Sequence, residues 1–196
     1  MDESSLINTD FSISSRETKA NPSSSASFEN QCPLPTSVKS HIIKAIVSNL
    51  KDIIEENKQY GQNFIDGIFY LQQIPPISLE DFIRHLMACT NMNLSSLILS
   101  IIYIDQFCEK YKYMISLNNI YRLLLISIFI SIKYNEDCFV SFKDYAKISG
   151  VSVEDLKILE YQMCAALDFN FYVKSEYYEQ YFIFFKKVPT TNMSID

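Results

Sequence analysis

Residues 123–132 read Leu-Leu-Leu-Ile-Ser-Ile-Phe-Ile-Ser-Ile, an apolar run broken only by two serines and bounded by Arg122 and Lys133. At about 100° per residue these side chains cover a helix on nearly every side. Such a helix must be enclosed by other protein or by lipid, and crossing a bilayer takes about 20 apolar residues. This run has ten. It therefore predicts the central helix of a bundle in a soluble protein, with Ser127 and Ser131 as small polar spots that let neighbouring helices approach closely.

The chain around it is punctuated for helices. Val38, Ile42, Ala45, Ile46, Leu50, Ile53 and Ile54 follow helical spacing between Thr36 and about Asn57. A connector over 61–76, anchored by Phe64 and Phe69, closes on Pro75-Pro76. A series of five helices follows. Ser78, with Asp81 in capping-box position, opens the first, which runs to about Cys89. The second covers about 94–110, and the third starts near Asn118 as N-cap and ends at Lys133 or Tyr134. A short fourth follows Ser141 and stops at Gly150, and Ser152 with Asp155 caps a fifth that ends about Leu167. Beyond Tyr172, a final aromatic helix starts at Ser175 and reaches about Lys187. With no Asn-Gly hairpin signal and no sustained alternation, the expected fold is all-α. The expected divisions are a disordered Ser/Asn-rich tail (1–33), an N-terminal helix and connector (34–76), the main helical unit (77–172) and a C-terminal helix and tail (173–196).

Composition removes several functions. The only glycines, Gly61, Gly67 and Gly150, stand alone, so no phosphate-cradling glycine loop can be written. A dinucleotide fold, a Walker-type NTPase and a protein kinase are each excluded on that ground. A net charge of −6 argues against nucleic acid and membrane surfaces, which ask for a basic patch. Five cysteines without a C-x-x-C suit a reduced intracellular compartment, nucleus or cytoplasm, and the polar N-terminus with Asp2 and Glu3 carries no signal-peptide pattern. His41 and His85 are the only histidines. His85 and Cys89 share a helix face at i, i+4, which reads as packing rather than a metal site. No catalytic residue, metal or cofactor is expected.

Three charges lie in apolar helical faces. Lys133 falls in angle between Phe129 and Ile126 at the end of the central helix, where a snorkelling lysine suits the helix dipole. Glu160 projects within the stripe formed by Leu156, Leu159, Met163, Ala166 and Leu167. A glutamate so placed wants a cation or donors, in this chain or in a partner. Asp105 lies amid Leu94, Ile98, Ile101 and Cys108, and Arg84 is its expected counter-ion in a structural ion pair joining two helices.

The helical segment resembles a cyclin box, and within the cyclins the P/U-type group of phosphate signalling. The carrying residues are Ile74-Pro75-Pro76-Ile77-Ser78 leading into Phe82-Ile83-Arg84, then Tyr103-Ile104-Asp105-Gln106. They continue through Asn118-Asn119-Ile120-Tyr121-Arg122-Leu123-Leu124 and Ser131-Ile132-Lys133-Tyr134. They end with Asp144-Tyr145-Ala146-Lys147-Ile148-Ser149-Gly150 and Leu156-Lys157-Ile158-Leu159-Glu160. The resemblance implies one five-helix cyclin box flanked by an extra N-terminal helix and a C-terminal aromatic helix. It further implies a regulatory subunit rather than an enzyme, paired as a heterodimer with a cyclin-dependent kinase whose regulatory helix it holds inward. Lys133 and Glu160 match the family's kinase-contacting lysine and glutamate, and Arg84 and Asp105 match its Arg–Asp bridge. Asp137 is expected to meet an arginine of the kinase activation loop. Where many cell-cycle cyclins carry M-R-A-I-L, this chain has Ile83-Arg84-His85-Leu86-Met87, and Tyr121 stands where P/U-type members often have histidine. The alternative is a cyclin-fold adaptor or scaffold that binds a protein without activating a kinase.

Overall fold

The computed structural model describes residues 35–59, 67–137 and 140–188. Among them run seven helices: α1 (Thr36–Lys58), α2 (Leu79–Thr90), α3 (Leu94–Tyr111), α4 (Leu117–Asn135), α5 (Phe142–Ser149), α6 (Val153–Ala166) and α7 (Ser175–Lys187). No strand occurs among the described residues. The Ser/Asn-rich segment expected as a tail, and Phe64 of the connector, lie outside them.

The apolar run makes α4 the centre. Every residue from Leu123 to Ile132 is buried, with α3, α6 and α2 against it. Burying a large apolar side chain stabilises by roughly 1.5–3 kcal/mol, so this helix fixes where its neighbours go. Ser131 puts its small side chain to the predicted use, donating to Ser96 O of α3 at 2.7 Å. The other helices close a ring: α5 bridges α6 and α2, α1 joins α2 to α7, and α7 lies on α3.

Local signals set the helix ends. The hydroxyls of Ser78, Ser141 and Ser152 accept from the backbone N–H three residues on, at 3.1, 3.2 and 3.0 Å. These bonds satisfy donors that a helix start would otherwise leave open. Gly150 closes α5 with φ +69°, a left-handed position that suits glycine. One start differs from expectation: Ser116, not Asn118, caps α4. Asn119 reaches back, its Oδ1 accepting from Ser116 N–H at 2.9 Å. Asn118 instead binds the connector, where its Nδ2 donates to Leu71 O at 2.8 Å and its carbonyl accepts from Leu71 N–H at 2.7 Å. A side chain holding a distant loop is not free to cap its own helix.

The end of α6 is unusual. Asp168 N–H donates to Ala165 O at 3.1 Å and Phe169 N–H to Cys164 O at 2.8 Å, the paired bonds of a Schellman stop. That stop commonly uses glycine, yet here Asp168 and Phe169 both take left-handed φ, +53° and +54°. Lys110 of α3 secures it, its Nζ donating to Ala166 O at 2.8 Å and to Asp168 Oδ2 at 2.6 Å.

Candidate protein-binding site

Because α4 is buried from Leu123 to Ile132, that run meets the surface at the C-terminal turn, where Lys133 sits. A cation there is favoured by the partial negative charge of the helix end. Lys133 Nζ lies 2.6 Å from Glu160 Oε1 of α6, with the two side chains 36% and 19% exposed. The lysine also stands over two aromatic rings, with Nζ 4.9 Å from the centroid of Phe142 and 5.4 Å from that of Phe129. Glu160 thus has the internal cation that its placement called for, while the pair as a whole stays open to a partner. One turn further, the buried Cys164 thiol is pushed up to about 11 by desolvation and by the Glu160 charge, which keeps it protonated at neutral pH.

Exposed aromatic side chains follow each member of the pair in sequence and continue into the α6–α7 connector. Tyr134 follows Lys133, and Tyr161 follows Glu160; both are exposed, as are Phe169 and Tyr172 of the α6–α7 connector. Tyr134 meets Phe171 with centroids 5.6 Å apart, and Tyr161 meets Phe169 at 6.5 Å. The left-handed backbone at Phe169 leaves its ring 62% exposed. A part-exposed charge pair with exposed aromatic residues next to it in the chain has the composition of a protein–protein contact: aromatic side chains dominate such interfaces, and few residues carry most of the energy.

Glu136, which sequence reasoning passed over, holds this end of α4 in place. Its carboxylate accepts from Asn93 N–H at 2.9 Å, Asn93 Nδ2 at 2.6 Å and Ser96 Oγ at 2.5 Å. These donors stand at the start of α3, whose own N-cap Asn93 makes no side-chain cap bond. The sequence carried no signal of this, because asparagine commonly caps its own helix, and only the fold turns Asn93 towards Glu136. Asp137 comes next and is exposed at the surface beyond the end of α4.

The expected Arg84–Asp105 bridge is not formed. Arg84 donates through Nε and Nη2 to Glu80 Oε1 at 2.9 and 2.7 Å, and through Nη2 to Ser40 Oγ at 2.9 Å. Glu80 is one turn earlier on the same helix, so the guanidinium finds a carboxylate without leaving the surface. Asp105 is 1% exposed on α3, where α7 covers it and the Tyr181 hydroxyl donates to Oδ2. Burial and the adjoining Asp105 charge push the Tyr181 phenol strongly up, so it stays a donor. His85 Nε2 lies 3.0 Å from Ile148 O, linking α2 to α5, and its Nδ1 lies 3.7 Å from Cys89 Sγ. Among the described residues no group of His, Cys, Asp or Glu is arranged to hold a metal, and no helix is long and apolar enough to cross a membrane.

Helices packed around the buried run of α4, with a charge pair at its end, define a class that similarity to known proteins identifies. The cyclin family model matches residues 6–171, and the chain belongs to the cyclin family. Cyclin-U2-1 of Arabidopsis thaliana is 29% identical over 153 residues, covering 78% of this chain and 68% of the relative. Cyclin-P3-1 of Oryza sativa subsp. japonica is 26% identical over 136 residues, covering 69% and 56%. PHO85 cyclin-7 of Saccharomyces cerevisiae is 24% identical over 191 residues, covering 85% and 66%. Within the family this is a P/U-type cyclin with a single cyclin box.

Proposed function

We propose that the chain is the regulatory subunit of a cyclin-dependent protein kinase and activates it as a heterodimer. The observation that carries this reading is the Lys133–Glu160 pair, part-exposed at the end of the buried run of α4, with the lysine over the Phe142 and Phe129 rings. A similarity to a protein named PHO85 cyclin-7 supports it. The partner segment is the kinase's regulatory helix. Lys133 carries three donors and Glu160 several acceptor positions, so each has capacity beyond their mutual bond. Asp137 receives an arginine of the activation loop.

Activation is a population shift. A kinase whose regulatory helix sits outward lacks the lysine–glutamate ion pair that orients the ATP phosphates. A surface that binds only the inward position favours it by its differential affinity, and no other property of the surface matters to the equilibrium. Its setting is phosphate signalling or cell-cycle control, and a place inside the nucleus or cytoplasm agrees with the free thiols of Cys89, Cys108 and Cys164.

Co-expression with a cyclin-dependent kinase, followed by affinity purification and a histone phosphorylation assay, tests the reading. A stable complex with phosphorylation that depends on this chain is the expected result. Binding without phosphorylation contradicts activation and selects the adaptor alternative; no binding contradicts the kinase reading and leaves an adaptor for another protein.

A further inference from the structure

We propose, on the reading that the Lys133–Glu160 face receives the kinase, that Phe142 is a positioning residue: its ring holds the Lys133 ammonium against Glu160, so that the partner meets a preset charge pair. A lysine ammonium on a four-carbon stem is mobile, and an exposed ion pair alone is too weak to fix it. Here two ring faces add a second attraction, Phe142 at 4.9 Å and Phe129 at 5.4 Å from Nζ. Phe129 is core. Phe142 comes from α5, a helix that otherwise has no part in the site.

The ring of Phe142 is itself held from both sides. It packs on Phe129 edge-to-face with centroids 5.1 Å apart. Phe129 packs in turn on Tyr145, centroids 4.6 Å apart, and the Tyr145 hydroxyl donates to Leu125 O at 2.7 Å. On the chain side, Phe142 is the first residue of α5, directly after the Ser141 cap, whose hydroxyl donates to Asp144 Oδ2 at 2.6 Å. Lys157 of α6 approaches the same ring at 6.0 Å, farther than Lys133. Phe142 thus faces cations from α4 and α6 and is fixed by α4 and its own cap. Holding the lysine before the kinase arrives removes an ordering cost from binding.

Two measurements test this with the full chain and the kinase that co-purifies with it. In a double-mutant cycle, Phe142→Leu keeps apolar bulk but removes the ring face. It is expected to weaken kinase binding about threefold to tenfold when Lys133 is present, and by under about twofold in a Lys133→Met background. Phe142→Tyr restores binding. Equal losses in both backgrounds, or none in either, overturn the role of Phe142 while leaving the kinase interface standing. In the free chain, NMR of Lys133 should show ring-shifted Hε resonances that move toward ordinary values in Phe142→Leu and not in Phe142→Tyr. Resonances that ignore the substitution overturn the proposal whatever the kinase does. A wild-type chain that binds no kinase overturns the underlying reading instead, and the resonances separate that failure from this one.

Discussion

Asp105 and Glu160 look alike in the sequence, each a carboxylate set among apolar positions of a helix, and the fold treats them oppositely. Asp105 is closed beneath α7 and takes the Tyr181 hydroxyl. Glu160 keeps partial exposure and takes the ammonium of Lys133. The difference lies in what covers each helix. A carboxylate under another helix must be satisfied within the chain at once, because its desolvation is costly. One at an open edge keeps water and spare acceptor positions, and can bind something else. The first serves assembly of the fold, and the second is the one we propose for recognition.

Substitutions that read stability separate the two most strongly. Asp105→Ala strips the Tyr181 hydroxyl of its buried carboxylate and should cost about 2–4 kcal/mol in chemical denaturation. A cost below about 1 kcal/mol would erase the contrast. Glu136→Ala removes three hydrogen bonds that join the end of α4 to the start of α3. Its expected cost is about 1–2 kcal/mol. Glu160→Ala should lower stability by under about 1 kcal/mol, as an exposed ion pair does, and a larger loss would class Glu160 with Asp105. The smallest effect is chemical. Iodoacetamide at neutral pH should label Cys89 in the folded chain, while Cys164 and the buried Cys108 react only on unfolding, as read by peptide mass mapping.

Much of this was legible beforehand because it is local. Ser78, Ser141, Ser152 and Gly150 mark helix ends through groups a few residues away. The run from Leu123 to Ile132 announces its own enclosure. Lys133 and Glu160 stood out as charges in apolar faces, and the family resemblance gave them a shared use. What was not legible depends on which helices meet. Tyr181 lies 76 positions from Asp105, and nothing in either segment says that α7 will cover α3. Arg84 was assigned to Asp105 for want of that knowledge, while Glu80, four residues away, was the nearer carboxylate. Glu136 drew no role from the sequence because the start of α3 that needs it is 43 positions earlier.

The central claim, that Lys133 and Glu160 present their charges to a kinase, is tested most directly by exchanging them. The double variant Lys133→Glu with Glu160→Lys can rebuild an internal ion pair, though a carboxylate at 133 loses the helix-end and ring attraction, so its melting temperature should fall by only a few degrees. Its charges face the partner reversed. Measured by titration against the co-purified kinase, binding should fall by about a hundredfold or more, since like charges brought together at an interface cost several kcal/mol. An exchanged variant that binds and activates the kinase as the wild type does would contradict the account.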